Sequence, residues 1–400
     1  MATSSGIPRA QRGASERPRR RPKDRKQRIL AAAAHQFREL GYDHVGMADV
    51  AAAVGIGPSA LYRHFTGKRE LLLAVMTDAL GAFETVARAA NDQAQLHEGL
   101  VPVALNHRDF GLLWERESGH LRPAERDGLW LRLRAIAARV AKLLVIESRL
   151  LQETADIRAW AVLSILNSPS HHHVNLGAAA LANILRRAVA AVCEVNLPSA
   201  VQLPSEGESG PALRPVSRRE AVLASAMRLF SERGYPTVSM AEIGAEAGIA
   251  GTTLYNHFDS KSDILAAALN RGTEALWLRL HEALRRAGTA DRALELVVTD
   301  YVSFTVRNTE IIDVLVSEVI NLPEEPRDRF RRIQQEYVAE WVALLDGARP
   351  QFDEPSSRAL VHAALGVANS LPRIRHLRKR PMFVQEVTTL VLGVVHTPLP

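Results

Sequence analysis

Two short runs of side chains stand out for the chemistry they could do together. Tyr62, Arg63, His64 and Lys68 crowd one stretch, and Tyr255, Asn256, His257 and Lys261 crowd another. A phenol, an imidazole and an ammonium are all donors to phosphate oxygens, so both runs suit a polyanion. Just upstream lie Pro58, Ser59 and Ala60 in the first run and Gly251, Thr252 and Thr253 in the second. These are candidate readers of base edges: a Thr methyl suits thymine and a hydroxyl suits several bases. No nucleophile–base pair and no complete set of metal ligands is visible, so no catalytic or metal site is assigned.

The elements that must carry these residues are written twice. Phe37 and Phe230, and Lys68 and Lys261, lie the same 193 positions apart, and no gap interrupts the register from Arg25/Arg218 to Ala74/Ala267. The chain is therefore a tandem duplication, and two copies are too few for a solenoid. In the first copy Ile29, Leu30, Ala33, Phe37 and Leu40 recur near every 3.6 residues, which predicts a helix ended by Gly41. A short helix from Met47 to Val54 follows, then a tight Gly-Ile-Gly turn, then a helix opened by Pro58 at the position where a missing N–H costs nothing. Helix, helix, turn, helix is the arrangement whose last helix enters the major groove of DNA. In the second copy Ser239 and Glu242 form a capping-box pattern, whereas the matching Gly46 has no hydroxyl. The second copy should thus hold a phosphate better at that helix start, through Ser239.

On these residues the chain resembles TetR-family transcriptional regulators, twice over. The resemblance lies in Gly41-Tyr42, Val50-Ala51, Leu61-Tyr-Arg-His-Phe65 and Lys68, and again in Gly234-Tyr235, Ile243-Gly244, Leu254-Tyr-Asn-His-Phe258 and Lys261. It implies an all-α fold of two TetR-like units, each a three-helix DNA-binding domain plus a helical regulatory body, packed as an intramolecular pseudo-dimer. Tyr62, His64, Lys68, Tyr255, His257 and Lys261 match family positions that touch the DNA backbone. Members usually carry one copy and dimerise, so covalent linkage is the departure. The segments 19–26 and Leu113-Trp-Glu-Arg-Glu117 further resemble tandem regulators of actinobacterial lipid operons, which suggests a lipid-like effector.

Length and charge set the organisation. At 400 residues at least two domains are expected. The expected division is a disordered basic arm (1–22), a first DNA-binding domain (23–67), a first body (68–195), a linker rich in Pro, Ser and Gly (196–216), a second DNA-binding domain (217–260) and a second body (261–396). Residues 1–28 hold ten Arg or Lys against two acids, while the whole chain carries only +6. Directly before a groove-reading unit, such an arm reads as a follower of phosphates or the minor groove, through Arg19, Arg20, Arg21, Lys23 and Arg25. The second copy has no comparable arm. A single cysteine, Cys193, excludes a disulfide framework and makes the cytosol the default, with the protein on the nucleoid. No run is apolar enough to span a membrane, and the basic start is not a signal peptide.

The bodies hold the remaining candidates. Trp114, Glu117, Trp130, Tyr301 and Phe304 are taken as pocket residues, although packing competes as the role of large aromatics. His171-His172-His173 after Ser-Pro-Ser reads as a solvated loop, because neighbouring side chains in extended chain point apart and make a poor metal cage. The Glu117-x-x-His120 spacing reads as a polar helix face.

The function expected is a transcriptional repressor. It would read a non-palindromic operator with two unequal heads and be released by a small hydrophobic effector, without cofactor or membrane partner. Further dimerisation of the one-chain pseudo-dimer stays open. The competing readings are a DNA-binding regulator whose bodies bind a protein partner, and a helical metalloenzyme.

Overall fold

The computed structural model describes residues 22–198, 216–249 and 251–399, and of Pro22, Lys23, Asp24, Gly251 and Thr252 it describes the backbone alone. Every regular element among them is helical. The first unit runs through α1 (Pro22–Leu40), α2 (Met47–Ala53), α3 (Pro58–Tyr62), α4 (Lys68–Ala89), α5 (Gln93–Asn106), α6 (Phe110–Glu117), α7 (Pro123–Ser148), α8 (Gln152–Asn167) and α9 (Ala178–Glu194). The second repeats the plan as α10 (Arg218–Arg233), α11 (Met240–Ala247), α12 (Gly251–Tyr255), α13 (Lys261–Arg286), α14 (Ala290–Arg307), α15 (Thr309–Ser317), α16 (Glu324–Ala348), α17 (Glu354–Ser370) and α18 (Phe383–Val395).

Each head is a small helical cluster built by apolar periodicity and glycine punctuation. Ile29, Leu30, Ala33 and Phe37 of α1 are buried with Val50 of α2 and Leu61 and Phe65 around α3. Val222, Leu223, Ala226, Phe230, Ile243, Leu254 and Phe258 repeat this core in the second head. Gly41, Gly55, Gly234 and Gly248 all have φ between 70° and 81°, the left-handed region that L side chains avoid. The four positions are two pairs in the repeat register, so backbone conformation explains why glycine stands at each. Ser239 caps α11 as the sequence suggests: its hydroxyl accepts from the Glu242 peptide N–H at 3.3 Å, and the Glu242 carboxylate accepts from the Ser239 N–H at 2.8 Å. In the first head only the second half exists, with Gly46 N–H donating to Asp49 Oδ2 at 2.8 Å.

The two units meet through α8 and α9 of the first and α17 and α18 of the second, which pack as a four-helix arrangement. The helices approach closely at Gly366 on α17, where an added Cβ would lie 3.1 Å from the Ser164 carbonyl oxygen of α8. Buried Arg158 of α8 donates to the Val192 and Val195 carbonyls at 2.6 Å each, satisfying the open C-terminal end of α9. At the rim His376 lies 2.8 Å from Asp156, and Arg380 donates to the Glu153 carbonyl at 2.9 Å. The apolar core runs unbroken through the first head and both bodies, whereas the second head has a separate cluster closed by Val314, Val319, Leu322 and Phe330. The two heads are therefore mounted differently.

The histidine triplet is solvated at His171 and His173 but not at its centre. His172 is buried and its ring stacks on His362 of α17 at 4.5 Å between ring centres. His173 accepts from Arg38 at 2.7 Å, and His171 sits 3.3 Å from Glu115. The short 3₁₀ turn Ser168–Ser170 leads into the triplet, and His172 enters the seam between the units, a placement set by tertiary packing.

Candidate DNA interface and ligand cavities

Burial of one side of α3 and α12 presents the opposite side to solvent. Leu61 and Phe65 point inward, and Pro58, Ser59, Tyr62, Arg63 and His64 are exposed, with Ala60 half-buried. In the second head Tyr255 and Asn256 are exposed and Thr253 and His257 half-buried. Tyr62 is 54% and Tyr255 56% exposed, which is unusual for a tyrosine without a partner to meet. Arg25 and Ser239 lie exposed at the starts of α1 and α11. Arg19, Arg20 and Arg21 lie outside the described residues, as do the side chains of Lys23 and Thr252, and of Gly251 only the backbone is described.

Lys68 and Lys261 have a structural duty that the sequence did not disclose. The Lys68 ammonium donates to the Tyr42 carbonyl at 2.6 Å and lies 4.2 Å from the centre of the Tyr42 ring. Lys261 donates to the Tyr235 and Val238 carbonyls at 2.7 Å each and sits 4.1 Å from the Tyr235 ring. Burial lowers the Lys261 pKa below its ordinary value. Each lysine thus ties the first residue of α4 or α13 to the turn after α1 or α10. In both heads the fixed Gly-Tyr turn and the Lys that follows the last helix are parts of one joint.

The joint is completed from the body. Glu117, the last residue of α6, is buried beside Gly41 and accepts from the Tyr42 peptide N–H; burial pushes its carboxyl up to about 7. His120 lies 3.5 Å from that carboxylate and stacks on the Tyr42 ring at 4.3 Å. Glu117 and His120 therefore form a body-to-head seam rather than a polar surface face. Glu117 is not among the residues that line either cavity, which corrects its assignment as a pocket residue.

Two cavities open in the bodies. The first, about 460 Å³, is walled by Leu80, Phe83, Trp114, Trp130, Trp160 and Leu163 of the first body. Its aromatics form a rail: Trp114 stacks on Trp130 at 5.9 Å and Trp130 on Trp160 at 5.5 Å. Trp114 and Trp130 line this cavity, and their mutual packing is part of the same wall. The second cavity, about 480 Å³, takes Leu276, Tyr301, Tyr337 and Val338 from the second body and Arg38 and Glu39 from the first head. The Tyr301 hydroxyl donates to Asn369 Oδ1 at 2.9 Å. Phe304 does not line it: buried and 5.7 Å from the Arg279 guanidinium, it belongs to the body core. Cys193 is buried, its thiol pushed up to about 12 by burial, and acts as filler. No cluster of three or more metal-ligating side chains occurs among the described residues. No helix among them is long and apolar enough to cross a membrane.

Comparison with known proteins bears on these two heads directly. The model of bacterial regulatory proteins of the tetR family matches residues 29–75 and 222–268. The HTH-type transcriptional activator FasR of Mycolicibacterium smegmatis is 33% identical over 87 residues, 22% of this chain and 40% of that protein. The fatty acid metabolism regulator protein of Bacillus subtilis is 25% identical over 126 residues, 32% of this chain and 63% of that one. The HTH-type transcriptional repressor KstR2 of Mycolicibacterium smegmatis is 26% identical over 148 residues, 35% of this chain and 72% of that one. The match with the first two spans less than two thirds of their own length.

Proposed function

Because the tetR-family model matches both heads, residues 29–75 and 222–268, we propose that the protein is a one-chain, two-headed repressor of that family released by a small hydrophobic effector. The observation that carries this is the paired exposure of Tyr62 and Tyr255 on the last helices of two unequal heads in one polypeptide. Phosphate contacts from Tyr62, His64, Tyr255, His257 and the basic arm would position the heads on the duplex. Ser59, Ala60 and Arg63 on one side and Thr252, Thr253 and Asn256 on the other would read bases. Different readers favour an operator with unlike half-sites.

Packing of α8 and α9 on α17 and α18 supports a pseudo-dimer in which connection replaces subunit association. Two open cavities favour ligand sensing over a body that only binds a protein. The fatty acid regulator among the relatives and the indole-lined wall support a lipid-like effector. Such a ligand acts only by its difference in affinity between the DNA-bound and released geometries. The relatives include an activator and a repressor by name, so direction is a matter for experiment. On this reading the protein works in the cytoplasm on the nucleoid.

Footprinting the full chain on DNA upstream of its own coding region tests the reading. Protection of two unlike half-sites by one chain, weakening steeply with salt, is expected. Identical inverted half-sites under one chain, or no specific protection, would overturn it. A promoter fusion that rises when the coding sequence is deleted supports repression, and one that falls replaces it with activation.

A further inference from the structure

The first cavity does not belong to one unit. Its floor is the indole rail of the first body, and its far wall is the second head: Phe230, Arg233, Gly234 and Pro236, at the end of α10 and in the turn that follows. That turn is the one held by Lys261, the first residue of α13, and seated against Glu318, the residue after α15. The second cavity is its mirror in plan, since second-body residues meet Arg38 and Glu39 of α1. Each body cavity therefore borders the head of the other unit.

Two cations in this wall have side chains without a hydrogen bond or ion pair among the described residues: Arg126, which is exposed, and Arg116 of α6, which is half-buried and lines both cavities. The carboxylates on either side of Arg116, Glu115 and Glu117, attract it through space but are bonded to other partners. Glu115 is held between Arg373 and His171 at 3.3 Å each, and Glu117 faces the Tyr42 turn. Burial lowers the Arg116 pKa, so an anion brought beside it would replace lost hydration. The floor of the same cavity offers Trp114, Trp130 and Trp160, three flat apolar faces in a row.

We infer that the first cavity is a shared site for a flat, largely apolar molecule carrying one acidic group, and that this ligand acts on the second head. The rail takes the apolar part, Arg116 takes the acid, and the ligand's far edge bears on Phe230 and the Gly234–Pro236 turn. Contact there moves the joint that orients α11 and α12, so control runs from one unit's body to the other unit's head. The inference rests on the ligand-responsive reading above and adds the wiring and the ligand class.

The probe is 1-anilinonaphthalene-8-sulfonate, a flat aromatic with one sulfonate, added to the full chain. Its fluorescence gives affinity, and hydrogen–deuterium exchange with and without it reports each head. Saturable binding is expected, with changed exchange at residues 230–238. Arg116→Gln should weaken binding roughly tenfold, the size of a lost charge-assisted hydrogen bond. Trp130→Leu, which alters only the first cavity, should abolish the change at 230–238 and spare any at 37–45. Thermal melts confirm that both variants fold.

No saturable binding, exchange changes confined to the first body or to 37–45, or a response indifferent to both variants would each overturn the inference. DNA binding by the unliganded chain is measured separately. A probe response at 230–238 in a chain that binds no DNA leaves the wiring standing and removes the regulator reading. Specific DNA binding with 230–238 unmoved by bound probe does the reverse.

Discussion

Glu117 and Glu318 occupy the same seat in the two halves of the chain. Glu117 is the last residue of α6 and Glu318 the residue just after α15; each is buried, and each accepts from the peptide N–H of the tyrosine in a Gly-Tyr turn, Tyr42 or Tyr235. An added Cβ on Gly41 or Gly234 would lie 3.9 Å from the respective carboxylate. Burial raises the pKa of both. The pair ties body to head at the joint that the lysines Lys68 and Lys261 close from the other side.

Titration of Glu117 gives a signed prediction. Its folded pKa, about 7, exceeds the ordinary 4.5, so the folded chain favours the neutral carboxyl. The stability it contributes is full below about pH 4.5 and lost as pH rises through about 7, by up to about 3 kcal/mol. Glu117→Gln keeps an acceptor for the Tyr42 N–H and cannot ionise. Melting curves from pH 5 to 8.5 should show the variant gaining on the parent as pH rises; a constant difference would refute this.

Tyrosine and lysine in the heads should separate cleanly. Tyr62→Phe and Tyr255→Phe are expected to leave the melting temperature unchanged and weaken DNA binding by about 1 kcal/mol each, the worth of one hydrogen bond. Lys68→Met and Lys261→Met should lower the melting temperature, because each ammonium serves carbonyls inside its own head. Melts and salt-controlled mobility shifts on the four variants check this.

Gly55 and Gly248 test backbone conformation alone. Nothing lies within 4 Å of a Cβ at either, and both have positive φ. Alanine should therefore cost about 1–2 kcal/mol from strain and not from a clash, and asparagine less. Denaturant titrations that rank Gly, Asn and Ala in that order at both sites are expected.

Gly366→Ala probes the seam between the units. Its Cβ would stand 3.1 Å from the Ser164 carbonyl on the facing helix, a backbone atom that cannot swing away. A loss of about 1–3 kcal/mol is expected, as for an overpacked core. Limited proteolysis should show faster cutting between the halves; unchanged denaturation and proteolysis would place the interface elsewhere.

Much of this was legible without coordinates. Apolar spacing in α1 and α10, the glycines at 41, 55, 234 and 248, Pro58 at the start of α3 and the Ser239–Glu242 cap are local rules, and each governs neighbours in sequence. The repeat register carried those rules from one half to the other. Exposure of Tyr62 and Tyr255 follows from the burial of Leu61, Phe65, Leu254 and Phe258 beside them.

What the sequence alone determined, then, is a helical chain with two like heads, because helix periodicity and turn chemistry act over a few residues. Only tertiary structure decided that Lys68 and Lys261 face inward, that Glu117 braces a head while Phe304 fills a core, and that His172 meets His362. Those side chains are partnered by elements distant in the chain, and burial and charge pairing depend on how the helices pack. The borders of the cavities belong to the same class, since each is closed by residues of both units.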